Sequence, residues 1–146
     1  MSLKMKNSEL LGLVVTMQRA VMMPESKGMI KFIYACHKNL NGKLGDAARA
    51  VEATRSDILA VYNKELEQER KHIFTQETDK AKQNTRYMAL LETLGQKFVK
   101  ELEQEKVFME IMEDLPEENI HRVLLEEMPP LPGETLYNLM NMVRPS

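Results

Sequence analysis

From Asp46 to Lys106 the chain has no proline and a single glycine, Gly95, and charged residues alternate with apolar ones at helical spacing. Proline deletes a backbone donor and clashes with the preceding turn, so a long stretch without it, rich in Glu, Lys, Leu, Ala and Met, is built for helix. Ala47, Val51, Ile58, Val61, Tyr62 and Leu66 recur at intervals that place them on one side of an amphipathic helix running from Asp46 to about Phe74, with Asp46 as its N-cap. The run Glu67 to His72 carries no apolar residue, so that stripe fades. Thr75 to Asp79 then predicts a turn and a new N-cap, after which Tyr87, Met88, Leu91, Leu94, Phe98 and Leu102 form a second stripe to about Glu105. At 1.5 Å per residue each arm is about 40 Å long. The expected class is all-α, organised on a long antiparallel hairpin of coiled-coil type; one continuous helix is the rival.

The rest of the chain leads into this hairpin or follows it. Asn7 or Ser8 caps a first helix whose stripe Leu10, Val14, Met17 and Val21 is widened by Leu11, Leu13 and Val15, so it belongs inside. Pro24 to Gly28 interrupts it, and Met29, Phe32, Ile33, Cys36 and Leu40 give a second amphipathic helix. Asn41-Gly42 and Gly45-Asp46 read as a C-cap and an N-cap; if those glycines stay inside a helix, residues 27–74 become one rod. Val107 to Met112 fits either a helix or a short strand. Glu117 to Glu127 is expected as a short helix with Ile120, Val123, Leu124 and Met128 on its apolar side, and Glu134 to Val143 as a last one. The expected division is a helical core at 1–106 and an acidic, proline-containing C-terminal arm of short helices at 107–146.

The net charge of −2 conceals a gradient: residues 1–49 hold eight Lys or Arg against three acids, and residues 107–146 hold two against eight. A nucleic-acid binder is usually basic overall with stacking aromatics, whereas this chain has no Trp. Nucleic acid is therefore disfavoured as a partner, with Lys27, Lys31, Lys38, Lys43 and Arg49 as the residues such a role would use. The segment Leu10 to Met23 is too short and too polar to span a bilayer. One cysteine, Cys36, allows no internal disulfide and points to a reducing, cytoplasmic setting. Twelve methionines provide either a forgiving core or an adaptable binding surface. Met22, Met23, Tyr87, Met88, Met140 and Met142 are the candidate partner anchors.

Chemical motifs are few. Glu69 to His72 and Glu118 to His121 repeat the Glu-x-x-His spacing that, on helices of a four-helix bundle, holds paired metals in carboxylate oxidases. The first lies in the most hydrophilic part of the chain and the second follows a proline, so salt bridges are the preferred reading and no metal or cofactor is expected. Cys36 and His37 point about 100° apart on a helix and cannot form a nucleophile and base pair. Asn41 to Gly45 lacks the spacing of a phosphate loop. Pro129 to Pro132 lacks the basic flank of a groove-binding polyproline ligand and reads as a rigid connector.

Lys4 to Asn7 before an apolar helix, Lys31 to Tyr34 with Lys38-Asn39, the long charged helical region and the acidic segment ending at Leu115-Pro116 resemble, in that order, small all-helical proteins of tailed bacteriophages and prophages. The resemblance implies a viral origin and no known enzymatic activity. The expected function is non-enzymatic protein–protein binding, to a host factor or a virion component, by a homodimer or higher oligomer.

Overall fold

The computed structural model describes residues 2–144, and among them places seven α-helices and four short strands. The chain forms two compact units, residues 1–52 with 110–146, and residues 53–109. This differs from the 1–106 and 107–146 division read from composition, because the C-terminal residues belong to the same unit as the N-terminal helices.

In the first unit, β1 (Ser2–Lys6) pairs antiparallel with β2 (Met112–Pro116), Ser2 facing Pro116 and Lys6 facing Met112. Met5 and Leu115 turn inward, while Lys4 stands opposite Asp114, a favourable cross-strand pair. The short strand left open near 107–112 thus lies at 112–116. Helix α1 (Asn7–Ala20) follows β1 directly. The Glu9 carboxylate accepts from the Lys6 backbone N–H at 3.1 Å, satisfying one of the donors a helix start leaves open. Leu10, Leu13, Met17 and Ala20 are buried, and Ser26 Oγ donates to the Ala20 carbonyl at 2.6 Å where α1 ends.

Helix α2 (Ile30–Asn41) buries Phe32, Ala35, Cys36 and Asn39. It stops at Gly42, whose backbone is extended, and α3 (Lys43–Ile58) starts at once. The expected break therefore exists, but Asp46 is not the N-cap: it lies in the first turn of α3. Gly45 has a steric reason, since a Cβ there would run into the Leu40 carbonyl oxygen.

The expected helix at 117–127 is absent. A 3-10 turn at Glu117–Asn119 leads into an extended segment containing β3 (Val123–Leu124), and a second 3-10 turn covers Leu125–Glu127. The cause is Asn39: its buried side chain accepts from the His121 N–H at 2.7 Å and donates to the His121 carbonyl at 2.9 Å, holding that residue as a neighbouring strand would. The last helix is also shorter than expected: α7 (Gly133–Asn138) packs on α1, then a 3-10 turn at Met140–Met142 leads to β4 (Val143–Arg144), parallel to β3.

The second unit is the hairpin. Helical bonding passes through Leu59, whose N–H donates to Arg55 at 3.1 Å and whose carbonyl accepts from Asn63 at 2.8 Å, so the end of α3 and α4 (Ala60–Gln76) make one arm. Asp79 caps α5 (Lys80–Lys97) as expected, accepting from the Ala81 N–H at 2.9 Å, and α6 (Val99–Met109) extends that arm through Phe98. Pairings between the arms fix an antiparallel register: Phe74 with Tyr87 at 6.3 Å between ring centroids, Glu65 with Lys97 at 2.8 Å, Tyr62 edge-on to Phe98 at 5.7 Å, Arg55 with Glu105 at 3.0 Å. Among the described residues no helix is long and apolar enough to cross a membrane.

Candidate functional site

Two helices side by side cover only part of each other's apolar stripe, which on a packed helix is at least about 100° wide. The hairpin unit shows the result: its buried apolar side chains are Leu59, Ile73, Leu94 and Phe98, and each keeps some exposure. Met88, Leu91, Gly95, Val99 and Leu102 follow one another at steps of three or four and so share one side of α5 and α6. Met88 is 64% and Val99 55% exposed, while Leu91 and Leu102 are half-buried. A Cβ added at Gly95 would meet nothing within 4 Å. The stripe is therefore an apolar strip with a low point in its middle, where another helix can come close.

The anchors read from the sequence scatter over both units. Tyr87 and Met88 lie on α5, Tyr87 half-buried beside Phe74. Met22, 86% exposed, and the half-buried Met23 follow α1 in the other unit, where Met140 is also exposed. Met142 is corrected outright: it is fully buried, its Sδ 3.9 Å from Cys36 Sγ, and serves as core. Burial pushes the Cys36 thiol up to about 12, so it stays protonated and unreactive.

The two Glu-x-x-His pairs lie in different units. Glu69 and His72 are both exposed on α4, whereas Glu118 and His121 span a 3-10 turn and an extended residue, which removes the helical geometry the spacing requires. Among the described residues no group of three or more His, Cys, Asp or Glu is placed to hold a metal ion. Pro129 is fully buried and Leu131 buried, so the proline run is packed into its unit.

Sequence reading missed a cleft of about 410 Å³ in the first unit, between α2 and the β3–β4 pair, where Lys31, Tyr34 and Lys38 face His121, Arg122 and Arg144. Its signal was available: Arg122 and Arg144 are the only basic residues after Lys106.

Comparison with known proteins gives no relative. The chain matches no family model, no curated protein and no solved structure.

Proposed function

We propose that this is a non-enzymatic helical protein that acts by protein–protein binding through the open side of its hairpin, and that the first partner this side takes is a second copy of the chain. The observation that carries the reading is the strip of Met88, Leu91, Val99 and Leu102 about Gly95, left uncovered by a unit with four buried apolar side chains. Two such hairpins laid face to face make a four-helix bundle, the arrangement that closes a two-helix layer. Self-pairing across a two-fold axis uses the same strip twice. Complete burial of a large side chain contributes about 1.5–3 kcal/mol. Leu91 and Leu102 are already half-buried and Met88 and Val99 little more than half exposed. The eight side chains of two copies therefore supply roughly half of their full sum, about 6–12 kcal/mol, against an association cost of about 4–15 kcal/mol.

The setting proposed is the cytoplasm of a bacterium, with a phage or prophage origin. The single buried thiol and the order of features shared with small phage proteins support it. The dimer would then engage a host factor or a virion component through its remaining exposed surface, Met22 and Met140 included.

Light-scattering mass determination on the full chain and on Met88→Asp and Val99→Asp tests the reading. The expected result is a dimer mass for the natural chain and a monomer mass for both variants, with helical content retained because both positions are exposed. A natural chain that runs as a monomer at micromolar concentration, or variants that stay dimeric, would overturn it.

A further inference from the structure

The cleft between α2 and the β3–β4 pair is independent of the hairpin. Lys31, Tyr34 and Lys38 lie at steps of three and four along α2, on one face of it. The opposite wall is the extended segment His121 to Val123 with Arg144, brought in by the parallel pairing of Leu124 with Arg144. The last forty residues hold eight acids and two bases, and both bases, Arg122 and Arg144, line this one cleft. Charge scattered to balance an acidic segment has no reason to converge there.

The cations are also positioned. Arg122 Nε donates to the Asn141 carbonyl at 3.0 Å, which fixes the plane of its guanidinium. The Lys38 ammonium sits 5.1 Å from the centre of the Tyr34 ring, and that exposed ring restrains it. Among the lining residues Glu127 is the one acid, and it is already engaged: it accepts from the Leu124 N–H at 2.8 Å and from Lys31 Nζ at 2.9 Å. Lys38 and Arg122, with Arg144 shared in part with Glu127, are left to set the charge of the site.

We infer that this cleft binds a compact phosphate-class polyanion, a diphosphate or a phosphate ester of small size. Planar guanidinium groups match phosphate oxygens in pairs, and a lysine supplies a point charge beside them. A long polyanion fits less well, because the unit is net acidic, with twelve Asp and Glu against ten Lys and Arg, so that charge extending beyond the cleft meets no excess of cations.

Calorimetric titration of the full chain with pyrophosphate, at fixed ionic strength and with sulfate as control, tests the inference. Saturable binding at one site is expected, and NMR amide shifts followed in the same titration should be confined to residues 120–124, residue 144 and α2. Lys38→Gln and Arg122→Gln should each weaken it about tenfold, the size of one lost charge-assisted hydrogen bond. Lys43→Gln, outside the cleft, should leave it unchanged. Lys38 is exposed, so its variant tests binding even if Arg122→Gln disturbs the fold. The inference is overturned by absence of saturable binding, by variants that bind as the natural chain does, or by equal weakening from Lys43→Gln. Tighter binding of an RNA or DNA oligonucleotide than of pyrophosphate would also overturn it, in favour of a nucleic-acid surface.

Discussion

At the scale of single residues, Asn39 decides more than any other side chain. A buried asparagine on a helix is costly unless its groups are met, and here both are met by one residue, His121, 82 positions away. That pairing explains why Ile120, Val123, Leu124 and Met128, spaced as a helix face, are instead extended. The periodicity was visible in the sequence; the asparagine that overrides it was not, since its partner is distant. Asn39→Ala leaves the His121 N–H and carbonyl without these partners and should cost about 1–3 kcal/mol, read as a lower urea midpoint with unchanged slope. A shift within experimental error would show that the 120–124 segment is held by its apolar packing alone. Cys36 and Met142 carry the opposite lesson: a methionine in a short terminal segment looks like surface, and its burial follows only once the parallel strand pair draws residue 142 against α2.

Among elements, the long helices were legible, whereas the short C-terminal segments were not and only one strand, left open near 107–112, was anticipated. The turn before α5, its Asp79 cap and the break at Gly42 are local events, settled by residues within a turn of one another. Strand β1 alternates polar and apolar residues from Ser2 to Lys6, a strand pattern of five residues that runs straight into a helix, and β2 is acidic; both acquire their bonds only from each other. The turn at 124–127 ties an element to a titration. The Leu124 N–H, then Lys31, hold the Glu127 carboxyl below the ordinary glutamate range. A folded pKa below the unfolded one contributes stability that is present at neutral pH and lost as pH falls through the folded value. The protection of the Leu124 amide, measured against its intrinsic exchange rate at each pH, should therefore fall selectively below about pH 4, where an ordinary glutamate protonates, and Glu127→Gln should abolish that fall. Exchange at Leu124 that follows pH no differently in that variant would mean the turn is kept by other contacts.

For the whole molecule, the hairpin unit and the unit around α1 and α2 differ in how much each buries. Most of the buried apolar side chains lie in residues 1–52 and 110–144, and the hairpin keeps four. Helices with so little packing open at low free energy unless another layer covers them. Amide exchange across residues 80–109 should slow as protein concentration rises, while exchange in α1 and α2 stays constant; concentration-independent exchange in the hairpin would contradict self-pairing. The hairpin itself was readable because long helices announce their period, whereas the cation cleft needed the chain's two ends to be brought together. That closure has a consequence for synthesis. Strand β1 precedes β2 by more than a hundred residues and has no partner until residue 116 has been made. The hairpin, whose contacts are local, can form first and bring residue 110 back toward residue 52, shortening the loop that the sheet must close. The first unit is thus the later one to close, and a released chain ending before residue 112 would keep the hairpin's local contacts while leaving β1 without its partner strand.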